Sequence, residues 1–301
     1  MKPKLYISSN AKPPIHESIS GFENSIPMCK VGIENNFIVT TDSSQADYFW
    51  AGQVKDTEAW LLHPNRYEFF EGNESRYIFE LEGDWRDRDH PDWLRDAIVV
   101  TGHARLESES KFTRRFVRPV VSPLLLRLVR DLRQYTPPEQ HGFWFQGQRD
   151  SRGLRQKVWR ALELAGVPHE FVFTPEWGVY LDEQHALARS YFAKAAHWSM
   201  ALCPIGEGPS CRFYEMALFH RLLVLIGDYR VFAEDVLGDG MRRLATGYTD
   251  AELGVLLAEM HRDMAKPNTV DAVAGVIRYA NELRTYFNDP TAYLLRWLGE
   301  Q

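Results

Sequence analysis

The chain is poor in cysteine: Cys29, Cys203 and Cys211 are the only three among 301 residues. An odd count cannot close into a disulfide framework, and no pair has the spacing of a metal site. A disulfide-held secreted scaffold is thereby excluded, and a reducing, cytoplasmic compartment is the natural expectation. No run of about 18 apolar residues occurs, so no membrane span is expected. The opening Met-Lys-Pro-Lys-Leu-Tyr-Ile-Ser-Ser-Asn lacks the apolar core of a signal peptide. A basic excess is missing too, with 35 Lys and Arg against 41 Asp and Glu and a formal net charge of −6. That balance argues against a nucleic-acid partner, whose phosphates call for surplus positive charge. Basic residues do gather at Arg114, Arg115 and Arg118, and again at Arg127, Arg130 and Arg133. They read as a solvated helix face with a flanking loop.

What is present is an ordinary globular composition, 45% hydrophobic and 25% charged. The length suits two domains of roughly 150 residues each. In the N-terminal half, short apolar runs at 4–8, 37–41, 46–52, 77–81 and 97–101 each end in polar or glycine-bearing sequence. Strands buried in a parallel sheet have this character, and the intervals leave room for right-handed crossovers. A helical pattern over 123–134 leads into Tyr135-Thr136-Pro137-Pro138-Glu139, whose double proline is the best candidate for a junction. The C-terminal half alternates more clearly. Strands are expected at 143–145, 171–173, 200–203 and 222–226, with helices at 154–164, 183–196 and 211–219 between them. Such alternation specifies a doubly wound α/β domain. Helices at 251–264, 270–286 and 291–298 close the chain.

The most informative stretch runs from Met200 to Leu218. A strand ends at Cys203, and a loop containing Pro204, Gly206, Gly208 and Pro209 precedes a helix that Ser210 is placed to cap. Free amides at a helix start, with the helix dipole behind them, form an anion site. Arg212 falls in the first turn, where a guanidinium can fork onto phosphate oxygens. Glu215 lies one turn further on the same face, and its carboxylate can accept both hydroxyls of a ribose. The same residues also fit a capped helix with an Arg–Glu surface pair.

Leu202-Cys203-Pro204-Ile205-Gly206 and Ser210-Cys211-Arg212-Phe213-Tyr214-Glu215, with Asp228 closing the next strand, resemble the signature of the exostosin-like glycosyltransferases. Tyr191-Phe192-Ala193-Lys194-Ala195-Ala196 resembles the helix before that signature. Phe143-Trp144-Phe145-Gln146-Gly147 followed by Arg155 resembles the family's aromatic strand, glycine and downstream arginine. In the N-terminal half, Gln45-Ala46-Asp47-Tyr48-Phe49-Trp50 resembles its Ala-Asp-x-Phe strand. The resemblance covers roughly 142–228. Leu223 stands where proline is usual, Met216 where alanine is usual, and His220-Arg221 replaces a small-residue turn.

The resemblance implies an α/β GT-B fold, two Rossmann-like doubly wound domains facing a central cleft. The expected division is 1–135 for the acceptor, 136–285 for the nucleotide sugar, and a terminal helix at 286–301 packing back on the first domain. It implies inverting, metal-independent transfer from a nucleotide sugar, a UDP-sugar, to a glycan or polysaccharide hydroxyl, with no cofactor. Asp87-Arg88-Asp89 has the letters of a metal motif but lies in the wrong domain for the donor and reads as a solvated turn. The departing diphosphate requires positive charge, for which Arg149 and Arg212 are candidates, with Arg155 one helical step deeper and able to anchor a carboxylate instead. Thr174, Pro204, Gly206 and Ser210 complete the expected donor set, with Glu215 on the ribose. Trp177 is placed either to stack on a base or to anchor its loop. A base must take the acceptor proton. Asp84, in the acidic turn after the 77–81 strand, is the first choice, and Glu82 and His103 are the alternatives. Asp89 and His90 are candidates for acceptor hydroxyls, or for a solvated turn before Pro91. A competing reading is a non-catalytic nucleotide- or glycan-binding module on the same scaffold.

Overall fold

The computed structural model describes residues 2–11, 27–55, 63–82, 91–102, 104–105, 112–120, 135–150, 153–174, 186–205, 211–264 and 269–300. The chain forms two compact units. One comprises Met1–Pro119, Tyr229–Phe232 and Thr285–Gln301, and the other Val120–Asp228 and Ala233–Arg284. Among the described residues no helix is long and apolar enough to cross a membrane.

The first unit is built on strands β1 (Lys4–Ile7), β2 (Ile38–Thr40), β3 (Tyr48–Lys55), β4 (Tyr77–Glu82), β5 (Ile98–Thr101) and β7 (Arg114–Val117). They form one parallel sheet in the order β2-β1-β3-β4-β5-β7. A short β6 (Ala104–Arg105) pairs antiparallel with β12 (Tyr229–Arg230). β5 is buried along its whole length, as a strand covered on both faces must be. One sheet face carries an aromatic core in which Phe49 stacks on Tyr77 at 4.9 Å and Phe79 meets Tyr67 edge-on at 4.9 Å. On the other face Phe116 packs against Phe232, Tyr286, Tyr293 and Trp297. Helices α1 (Lys30–Asn36) and α7 (Pro290–Glu300) pack together. A methyl group at Gly32 would strike Thr291, which itself donates to the Pro27 carbonyl, and Asn36 Nδ2 donates to Asp289 at 3.1 Å.

β7 departs from the sequence reading, which took the basic residues from Arg114 to Arg133 together as a solvated helix face with a flanking loop. The segment is an end strand hydrogen-bonded to β5. Arg118, just beyond it, is buried, and its Nε lies 3.4 Å from an oxygen of the fully buried Glu80 in β4. Gln53 Nε2 donates to the other oxygen at 3.3 Å. Two buried charges stand in this sheet because they neutralise each other. The second basic group, Arg127 to Arg133, lies outside the described residues.

The second unit has a five-stranded parallel sheet, β13-β11-β10-β8-β9. Its strands are β8 (Gln140–Gln148), β9 (His169–Thr174), β10 (Trp198–Pro204), β11 (Leu222–Ile226) and β13 (Met241–Leu244). Helices α2 (Leu154–Ala165), α3 (Ala186–His197), α4 (Cys211–Leu218), α5 (Asp250–Met264) and α6 (Thr269–Asn288) complete the second half, the last four residues of α6 belonging to the first unit. The order follows the alternation legible in the sequence. α2 begins where the Asp150 carboxylate accepts the amides of Leu154 and Arg155 at 2.9 and 2.8 Å, and it ends at Gly166, whose positive φ of 62° suits glycine.

Candidate functional site

The carboxyl ends of parallel strands are where open α/β sheets bind ligands. In the second unit, β8, β10 and the start of α4 bring a distinct set of side chains together there. All the described part of α4 after Cys211 is buried, charged residues included. Arg212 is 5% exposed and Glu215 6%. The surface ion pair that the sequence also permitted is therefore ruled out.

Arg212 is fixed to β8. Its Nη2 donates to the Gln146 carbonyl, and its guanidinium lies over the Phe145 ring, 4.2 Å from the centroid. The same ring is stacked with Phe171 of β9, centroid to centroid at 4.2 Å. Gly147 makes the arrangement possible. A Cβ there would stand 2.5 Å from Arg212 Nη2 and 3.1 Å from Phe145 Cζ. The aromatic-glycine strand end in the sequence is thus a bed for a cation.

Glu215 is held from another side. Tyr191 of α3 donates its hydroxyl to Glu215 Oε2 at 3.0 Å, and the Tyr191 ring meets Trp144 of β8 edge-on at 4.8 Å. Cys203, near the end of β10, feels both charges. Burial pushes its thiol up to about 12, with the Arg212 guanidinium opposing and the Glu215 carboxylate adding to the shift. A thiol held protonated in this way is a packing group and not a nucleophile. Neither Tyr191 nor Cys203 was marked as a site residue from sequence, because each meets its partners only through the fold.

The remaining candidates divide. Pro204 is the last residue of β10 and Thr174 the last of β9, both buried. Arg149 is exposed, with its guanidinium 5.0 Å from the centre of the Phe173 ring. Arg155 donates to the Gln148 carbonyl at 2.6 Å and lies 3.9 Å from the helix-capping Asp150. The carboxylate it meets in the structure is thus one of the chain's own. Glu82 ends β4 at the carboxyl edge of the first unit's sheet. Asp84, Asp89, His90, His103, Trp177, Gly206 and Ser210 lie outside the described residues. Among the described residues no group of three His, Cys, Asp or Glu side chains could hold a metal ion.

No family model matches the chain, and no curated protein matches its sequence. Two solved structures align with the chain along most of its length. The crystal structure of Alr3699/HepE from Anabaena in complex with UDP is similar over 98% of this chain and 100% of its own, with 12% identity and a TM-score of 0.46. AviGT4, a glycosyltransferase involved in avilamycin A biosynthesis, is similar over 95% of this chain and 98% of its own, with 10% identity and a TM-score of 0.37.

Proposed function

We propose that this chain is a glycosyltransferase of the GT-B type that moves a sugar from a UDP-sugar to a hydroxyl of a glycan or polysaccharide. The observation that carries the reading is the buried pair on α4, a guanidinium and a carboxylate one turn apart behind the carboxyl end of β10. A buried arginine fixed by a strand carbonyl and an aromatic ring is pre-organised to take a diphosphate, and charge held in a low-dielectric setting acts strongly. A carboxylate one turn further along suits the two hydroxyls of a ribose. The Leu-Cys-Pro-x-Gly and Ser-x-Arg-x-x-Glu spacing supports the same assignment.

In this reading the acceptor oxygen bonds to the anomeric carbon from the side opposite the leaving group. The bond from that carbon to the diphosphate oxygen breaks, and its electron pair leaves with UDP. Arg212, Arg149 and the amides at the start of α4 stabilise the departing charge in place of a metal ion. The acceptor proton passes to a base of the first unit, the Asp84 carboxylate before that of Glu82 or the His103 imidazole, while Asp89 and His90 bind acceptor hydroxyls. Arg155, Thr174, Pro204, Gly206 and Ser210 shape the donor pocket.

A thermal-melt series with UDP, GDP, CMP and their sugars tests the donor half. At a UDP concentration of about 100 times Kd, the folded protein gains about 2.7 kcal/mol, a shift of several degrees, and Arg212→Ala removes it. Absence of a shift with any nucleotide would sink the reading. Release of UDP from a UDP-sugar, lost in Asp84→Ala, tests the chemistry, and UDP binding without turnover would favour a non-catalytic module.

A further inference from the structure

Arg212 and Glu215 are referenced to one strand by two separate routes. Arg212 reaches β8 directly, through the Gln146 carbonyl and the face of Phe145. Glu215 reaches it through Tyr191, whose hydroxyl bonds the carboxylate and whose ring is seated against Trp144. Tyr191 is 3% exposed and also meets Phe192 edge-on at 4.9 Å, so its ring has little freedom to turn. A glutamate has three side-chain torsions, and a buried hydroxyl donor on a neighbouring helix selects among them.

We infer that Tyr191 is a positioning residue that orients Glu215 toward the ribose diol of a nucleoside diphosphate. The inference rests on the donor-site reading given above and adds a residue to it. In this role Tyr191 acts through Glu215. Its removal therefore weakens the contact with the ribose hydroxyls and leaves the diphosphate contacts as they were. A tyrosine that served only to pack the unit would affect every ligand alike.

Titration calorimetry of the wild type, Tyr191→Phe and Glu215→Gln with UDP and with 2′,3′-dideoxyuridine 5′-diphosphate separates these cases. The wild type is expected to prefer UDP by at least about tenfold, the scale of hydrogen bonds to a buried charge. Tyr191→Phe keeps the ring, and should lose roughly three- to tenfold in affinity for UDP while its affinity for the dideoxy analogue stays within about twofold. Glu215→Gln should erase the preference. Equal weakening of both ligands in Tyr191→Phe, or no change in either, overturns the role of Tyr191 while the donor site stands. Equal binding of the two ligands by the wild type overturns it as well, since Glu215 then reads no diol. If the wild type binds neither ligand, the donor reading itself fails, and the Tyr191 assignment falls with it.

Discussion

Gly147 leaves open the space that the Arg212 guanidinium occupies. In Gly147→Ala the added methyl strikes the buried Arg212 guanidinium and presses on Phe145 Cζ, so both must give way. The expected variant is folded, melts below the wild type, and has lost its seat for the arginine over Phe145. UDP affinity should fall by tenfold or more, as for a charge-assisted contact worth about 1.5–3 kcal/mol, and calorimetry beside a melting curve reads both quantities. At this scale the placement of Arg212 and Glu215 one turn apart on a single helix was legible, because a spacing of three is local. The sequence did not carry the partners of those residues. Gln146 and Tyr191 stand 66 and 24 positions away from theirs, and only the sheet and helix packing brings them together. Arg118 was misread for the same reason, since the carboxylate that lets it be buried lies on β4.

Whole elements were easiest to read where they are buried on both faces. Leu222–Ile226 is an uninterrupted apolar run and forms a central strand. β7 and β13, with sequences Arg-Arg-Phe-Val and Met-Arg-Arg-Leu, were missed. Both stand at the end of their sheet among the described residues, and each carries two adjacent arginines, so the apolar signature is diluted. The turn between α4 and β11 offers a test by pH. His220 there adopts a positive φ of 58° and is 4% exposed. Its Nε2 lies 3.4 Å from Arg284 Nη2. Arginine can only donate, so the ring accepts and is neutral. Burial first, then Arg284 and Arg221, lower its pKa to about 4. The folded value is thus below the ordinary value near 6.5, and the fold favours the neutral ring. Its contribution is complete above about pH 6.5 and is lost as pH falls toward 4, at up to about 1.4 kcal/mol per pH unit. His220→Asn retains a residue that tolerates positive φ and cannot titrate. Its melting temperature should fall less steeply than that of the wild type between pH 6.5 and 4.5. Parallel slopes would exclude the histidine as the source.

Over the whole molecule, the first unit is assembled from three separated stretches of chain. Phe116 on β7 is covered by Phe232 from one of them and by Tyr286, Tyr293 and Trp297 from another. A chain cut after Arg284 loses three of these four rings, of which the fully buried Tyr286 alone is worth about 1.5–3 kcal/mol. That truncation should bind a hydrophobic dye and lose hydrogen-exchange protection in β5 and β7. Unchanged protection would show that the sheet stands without them. The same threading fixes an order of events on the ribosome. Translation delivers every residue of the second unit before residues 285–301, so the first sheet waits with Phe116 lacking Tyr286, Tyr293 and Trp297 until then. At roughly 5–20 residues per second the delay is on the order of ten to thirty seconds. Nascent chains of this protein should therefore engage a holding chaperone through the segment around Phe116, and should be released from it once residues 285–301 have emerged.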